Sequence, residues 1–318
     1  MSRSGKLPRT CRLRAASEWG LLTRMPFHGI YYFYTDVSNC KILKYLFKGP
    51  AGNCPFLIWF ERDAMSLGYP ILEFDANREA VIEPGKAIKE RDLPEHCVLC
   101  FFYDVMAKLK QDSRVVPVLP IKSEMGDHPV YVLSCGSQQL AVCHVGVCAP
   151  LAGAMLEELI ARGGRKFIAC GSAAVLDKEI ASNQLIVPSA AVRDEGTSYH
   201  YLPPAREVCA HPSAVSAIET VLRKHNSPYF VGKTWTTDGI YRETTHKVRL
   251  RKSEGCVTVE MEAAAFFAVA QFRQVVFGQI LYAADDVSGG EWDPREFFER
   301  GSIREKMLWM AVEACLLL

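Results

Sequence analysis

From residue 69 to the C-terminus, apolar residues fall into short blocks set off by Gly, Ser and Pro, whereas residues 1–64 keep no sustained period. The runs Cys97-Val98-Leu99-Cys100-Phe101-Phe102, Val115-Val116-Pro117-Val118-Leu119, Val130-Tyr131-Val132-Leu133 and Leu140-Ala141-Val142-Cys143 read as strands. Residues 150–161 read as a helix: Pro150 suits a first turn, Ala154, Leu156, Leu159 and Ile160 share one side, and Gly163-Gly164 ends it. Strands are then expected over 166–170, 184–187, 229–234, 256–259 and 275–284, and helices over 213–224, 261–272 and 295–317. Helices interleaved with strands, after an early block of strands able to pair antiparallel, predict an α/β fold. Its form is a three-layer α/β/α sandwich with a mixed sheet.

Composition narrows the function. At 318 residues with 49% hydrophobic content, the chain can bury one full core and needs no second catalytic domain. A net charge of +1 argues against nucleic acid or an anionic membrane as the main partner and favours a small molecule. No run of about 18 apolar residues calls for a membrane span. Of the twelve cysteines only Cys97 and Cys100 have CxxC spacing, and on a strand alternation sends them to opposite faces; Cys97, Cys100, Cys135, Cys143 and Cys170 sit in apolar runs. They read as buried thiols of a reducing compartment, and no metal is expected.

Residues 1–64 differ in kind. Arg3, Lys6, Arg9, Arg12 and Arg14 precede the first acid, Glu18, and aromatic fragments such as Ile30-Tyr31-Tyr32-Phe33-Tyr34 follow. The basic start suits a mitochondrial-type address. The reading preferred here is a poorly ordered N-terminal extension, with initiation at Met25 or Met65, ahead of a catalytic domain over 65–318.

The most informative block is Val259-Glu260-Met261-Glu262-Ala263-Ala264-Ala265, which puts two carboxylates and a thioether where a strand meets a helix. A helix N-terminus favours carboxylates, and a carboxylate can accept hydrogen bonds from two sugar hydroxyls while a Met lies against the ring. Upstream lie Asp194-Glu195-Gly196-Thr197-Ser198-Tyr199-His200-Tyr201 and Thr236-Thr237-Asp238-Gly239-Ile240-Tyr241, and downstream an apolar run ends in Ala284-Asp285-Asp286. In this order and spacing the chain resembles the nucleoside phosphorylase family of purine nucleoside, uridine and methylthioadenosine-cleaving enzymes. The resemblance runs from about residue 69 to the C-terminus.

That resemblance implies a partly barrel-like sheet and a cytoplasmic homo-oligomer, such as a dimer or a trimer of dimers. The implied activity is cleavage of the N-glycosidic bond of a ribonucleoside to free base and ribose 1-phosphate. No cofactor is implied, and inorganic phosphate would be the co-substrate. Glu262 is expected to clamp the ribose hydroxyls, Met261 to pack on the sugar and Glu260 to add a contact, unless it serves only as a helix-start acid. Asp285 is expected to protonate the base, with a pKa raised by burial and by Asp286. Ile240, Tyr241, Arg242 and His200 are expected at the base, and Gly171 and Ser172 at phosphate.

The chain departs from the family where phosphate should bind. A Gly-Asp-Pro turn followed by Arg is replaced by Phe101-Phe102-Tyr103-Asp104-Val105, and the family's second Arg by Ala169. Gly146 remains, while Cys148 and Leu151 replace a Gly and a Ser. The base-reading Gln and Arg of uridine phosphorylases are replaced by Thr244 and His246, so purine and pyrimidine both stay open. Three alternatives stand for the nucleophile. Other cations such as Lys122, Arg193 or one from a neighbouring subunit hold phosphate; water attacks instead; or the protein binds a nucleoside without turnover.

Overall fold

The computed structural model describes residues 68–89, 91–295 and 301–318, and the strand backbone of 30–37, 40–47 and 56–59. The chain divides into two units, Met1–Glu73 and Phe74–Leu318. In the first, β1 (Ile30–Val37), β2 (Cys40–Phe47) and β3 (Phe56–Trp59) form an antiparallel sheet in that order. Most of the rest of residues 1–64, including the basic start, lies outside the described residues.

The second unit follows the alternation of its sequence. In chain order it holds α1 (Pro84–Ala87), β4 (His96–Cys100), α2 (Tyr103–Leu109), β5 (Val115–Pro117), β6 (Ile121–Ser123), β7 (Gly126–His128), β8 (Val130–Cys135) and β9 (Gln138–His144). Then come α3 (Ala149–Ala161), β10 (Lys166–Val175), β11 (Leu185–Asp194), β12 (Glu207–Cys209), α4 (Pro212–Lys224) and β13 (Tyr229–Thr237). The last elements are α5 (Thr245–Ser253), β14 (Cys256–Glu260), α6 (Ala263–Arg273), β15 (Val276–Asp286) and α7 (Gly301–Leu316).

The main sheet runs β12-β11-β13-β14-β10-β4-β9-β8-β5, with β15 paired to both β10 and β11. Those last two pairings join β10, β14, β13, β11 and β15 into a closed ring, so the expected mixed, partly barrel-like sheet is present. Its parallel pairs include β4 with β9 and β10, β10 with β15, and β11 with β13. Antiparallel pairs β5–β8 and β8–β9 form the early block.

Strand alternation sends neighbouring residues to two helical layers. Cys97, Leu99 and Phe167 face α3 and α6, where Phe266 stacks on Phe277 at 4.6 Å. Val98, Cys100 and Ile168 face α2, α4 and α7. Cys97 and Cys100 therefore lie on opposite faces, as their spacing requires, and the nine cysteines of the described residues are free thiols.

Two elements begin later than the pattern predicts. Helix α6 starts at Ala263 because Glu262, with φ −137°, is its N-cap. The last helix is described from Gly301, residues 296–300 lie outside the described residues, and Arg295, at φ +44°, is not helical. Helices α2 and α5 and the β6–β7 hairpin were not anticipated: α5 is short and strongly charged, and α2 interrupts a run of aromatics that favours strand.

Candidate active site

Strands β11, β13 and β14 run parallel, with Asp194 opposite Thr237 and Thr236 opposite Glu260. Their carboxyl ends therefore gather Glu195, Asp238 and the Glu260-Met261-Glu262 block along one rim, where α/β sheets collect ligands.

Glu260 is buried and held by its own chain. Thr236 Oγ1 donates to its Oε1 at 2.6 Å, and the N–H groups of Glu262 and Ala263 donate to its Oε2 at 2.7 Å each. Thr236 Oγ1 also accepts the Ala264 N–H at 2.9 Å, so three consecutive amides at the start of α6 find partners. This is the geometry of a helix-start acid. Burial pushes Glu260 up to about 7, against the pull of the hydrogen bonds it accepts.

Glu262 faces a different element. Its Oε1 accepts the Cys148 N–H at 2.6 Å, which ties the start of α6 to the start of α3. The side chain is 6% exposed, and burial first, then the charge of Glu260, raises it to about 8. Cys148, the N-cap of α3, sits at φ +83° and ψ 143°, a conformation close to one that only glycine adopts freely. Met261 is half-buried between the two acids.

Asp285, the penultimate residue of β15, accepts the Trp292 indole N–H on Oδ2 at 2.7 Å. Asp286, next to it, is drawn into contacts of its own. Its carboxylate accepts Ser288 N–H at 2.7 Å and the Arg295 guanidinium at 2.6 Å, an internal ion pair that leads away from Asp285. The charge of Asp285 also acts on Glu243, which ordinary sequence reasoning passes over as one more charge in a turn. Burial, then the charge of Asp285, raises Glu243 to about 7. Ile240, Tyr241 and Arg242 form the exposed turn immediately before it, and the exposed His200 ends a mostly covered turn after β11 in which Ser198 is buried.

A second acid lacked a signal. Glu195 is 6% exposed, one carboxylate oxygen accepts Ser198 N–H at 2.9 Å, and the other is buried without a hydrogen-bond partner. Burial raises its pKa, with Asp238 adding to the effect.

Apolar side chains cover the corner where phosphate was expected. A methyl placed on Gly146 would come within 2.1 Å of Leu151 Cδ2, so that side chain lies over the turn glycine. A methyl on Gly171 would meet Phe101 Cδ2 at 3.1 Å; the Phe101 ring thus covers this strand residue, next to Ser172 on β10. Arg193 is buried and committed elsewhere: it donates to Ser198 Oγ and to the carbonyls of Pro203 and Leu202 at 2.8, 2.8 and 3.1 Å. His144 is half-buried, lowered by burial, and meets the Tyr103 ring edge-on at 6.2 Å. A pocket of about 490 Å³ between Cys209, His211, Gln271 and Gln274 lies at the far end of α6 and contains none of these groups.

The sequence profile of the Phosphorylase superfamily matches residues 95–316. A guanosine phosphorylase of Halorubrum lacusprofundi is 25% identical over 187 residues, 59% of this chain and 75% of the relative. A uridine phosphorylase of Haemophilus influenzae is 26% identical over 141 residues, 40% of this chain and 56% of the relative. Among solved structures, the fold is shared with purine nucleoside phosphorylase of Toxoplasma gondii (TM-score 0.63, 18% identity, 74% of this chain and 96% of that one). It is also shared with AMP nucleosidase of Bacteroides thetaiotaomicron (TM-score 0.57, 21% identity, 71% and 89%). No helix among the described residues is long and apolar enough to cross a membrane.

Proposed function

Since the chain belongs to the Phosphorylase superfamily, we propose that it cleaves the N-glycosidic bond of a ribonucleoside, with Glu262 holding the sugar hydroxyls and Asp285 the base. The observation that carries this reading is the buried Glu262 carboxylate, fixed by the Cys148 N–H between two helix N-termini. A buried carboxyl group with an oxygen turned to paired hydroxyls holds the sugar by hydrogen bonds that shed no energy to competing water. As the bond breaks, positive charge grows at the anomeric carbon, which favours ionisation of the buried rim acids Glu195 and Glu262, and their carboxylates stabilise it.

The nucleophile assigned here is water. Phosphate carries about two negative charges and calls for guanidinium forks or open backbone amides. Leu151 over Gly146, Phe101 over Gly171 and the commitment of Arg193 support a neutral nucleophile. The likeness to phosphorylases favours the second reading, phosphorolysis with a cation not yet identified.

Base release from uridine, inosine, adenosine and methylthioadenosine, with and without phosphate, tests both. Release without phosphate is expected, and Glu262→Ala should abolish it while the protein stays folded. A strict phosphate requirement would reject water as the nucleophile, and no release from any of the four would reject cleavage itself.

A further inference from the structure

Residues paired across parallel strands share a face of the sheet, and alternation sorts the ends of β11, β13 and β14 into two sets. Val192 and Asp194 turn with Trp235 toward α5, where Asp194 accepts the Trp235 indole N–H at 3.0 Å and pairs with Lys247 and Arg251. Arg193, Thr236 and Glu260 form a row on the opposite face, that of α6, whose Ala264 N–H donates to Thr236 Oγ1. The next residues in phase, Glu195, Asp238 and Glu262, stand at the rim beyond that row. Asp238 Oδ2 accepts the Gly196 N–H at 2.8 Å and so ties the ends of β11 and β13 together. The turn after Glu195 packs on α3, since a methyl on Gly153 would stand 3.3 Å from Thr197 Cγ2, and Glu262 reaches the start of the same helix through the Cys148 N–H. Glu195 and Glu262 thus flank one seat beside α3, two strand intervals or about 10 Å apart.

Glu195 brings an unmatched atom to this seat. Its Oε2 accepts the Ser198 N–H at 2.9 Å, while Oε1 is buried without a hydrogen-bond partner. The guanidinium two residues earlier does not serve it, because Arg193 donates to Ser198 Oγ and to the carbonyls of Pro203 and Leu202. Buried carboxyl oxygens are ordinarily matched by a donor, so this one is an acceptor held in reserve.

We infer that Glu195 receives the 5′-hydroxyl of the ribose and makes the site selective for nucleosides whose 5′-hydroxyl is free. This rests on the reading that Glu262 holds the 2′- and 3′-hydroxyls and Asp285 the base, which leaves a ribonucleoside one further sugar hydroxyl, at C5′. The order of strands agrees with it. From β14, the strand of Asp285 lies beyond β10, and that of Glu195 lies on the other side, beyond β13. On the sugar, likewise, the base at C1′ and the hydroxymethyl group at C4′ stand on either side of the C2′–C3′ diol.

The terminal torsion of a Glu side chain is soft, so Oε1 can turn to an entering hydroxyl while Oε2 keeps the Ser198 N–H. A 5′-deoxy or 5′-thioether carbon has no proton to donate and leaves Oε1 unmatched. A 5′-phosphate would bring about two negative charges against three neighbouring acids, with Arg193 already committed.

The test uses the full chain with adenosine, inosine and uridine, each beside its 5′-deoxy and 5′-monophosphate forms, read by base release and by calorimetric binding. The 5′-hydroxyl form should exceed the 5′-deoxy form by at least about 100-fold in kcat/KM, because a site built to pair a hydroxyl discriminates strongly against its absence. The monophosphates and methylthioadenosine should be poor ligands and poor substrates. Glu195→Met keeps the volume and removes the acceptor; it should bring the two forms within about threefold, chiefly by raising KM for the hydroxyl form, as expected of lost binding. Glu195→Gln keeps an oxygen and should hold a preference between those two values. A merely structural role for Glu195 would lower both forms alike.

Equal use of 5′-hydroxyl and 5′-deoxy forms by the wild type, or a Glu195→Met variant that keeps the wild-type preference, overturns the inference and leaves the proposed function standing. Selective binding of the 5′-hydroxyl forms without cleavage refutes the proposed function and leaves Glu195 in this role. A chain that neither binds nor cleaves any nucleoside refutes both.

Discussion

Replacing Cys148 by glycine should stabilise the protein, contrary to the usual cost of introducing glycine. Cys148 occupies φ +83° and ψ 143°, where a Cβ is disfavoured by about 1–3 kcal/mol. Glycine removes that strain and adds roughly 0.5–1 kcal/mol of unfolded-state entropy. The half-exposed thiol contributes little burial, and the N–H that Glu262 accepts belongs to the backbone and survives the change. The net gain is on the order of 1 kcal/mol, or about 2–4 °C in Tm for a domain of this size. Urea and thermal unfolding of Cys148→Gly should be compared with Cys148→Ala, which keeps the Cβ and the strain. A glycine variant less stable than the alanine variant would refute the strain argument.

Two further predictions concern buried charge. Burial raises Glu262 from 4.5 to about 8, so the folded state binds more protons than the unfolded state across that window. Its stabilising contribution is complete below about pH 4.5 and is lost as pH rises through 8, by a few kcal/mol. Urea midpoints between pH 5.5 and 8.5 should therefore fall less steeply in Glu262→Gln than in wild type, and identical slopes would contradict the assignment. Arg193→Met should cost about 3 kcal/mol by stranding Ser198 Oγ and the carbonyls of Leu202 and Pro203. Faster limited proteolysis within residues 198–204 should accompany that loss, and a variant of wild-type stability would show the interaction to be dispensable.

The sandwich was legible because its strands and long helices repeat at clean periods, and Glu260-Met261-Glu262 fell at the strand-to-helix junction expected of it. The pairing of β15 with both β10 and β11 was not legible from periodicity, since pairing partners leave no mark on a single strand. The same limit hid the division of labour between the two glutamates: which of them feeds the amides of α6 depends on Thr236, which sits on another strand. Asp285 and Asp286 look equivalent in sequence, and the pairing of Asp286 with Arg295 leaves no mark there. Glu243 lay in a turn where acids are common, and its distinction arises from the loop that brings Asp285 toward it.

The ring formed by β10, β14, β13, β11 and β15 sets how the molecule can move. A closed circuit has no end strand to peel away, so amides in these strands exchange with solvent only when the whole circuit opens. Glu260 and Glu262 hang directly from its rim, whereas Glu243 and Trp292 ride on the connecting segments. On the proposed function, the sugar end is therefore an anvil fixed to the frame, while the base end is a jaw carried on loops. Entry and exit of a ligand would fall to the jaw, and the ring amides, which exchange only when the whole circuit opens, should exchange more slowly still with a ligand bound.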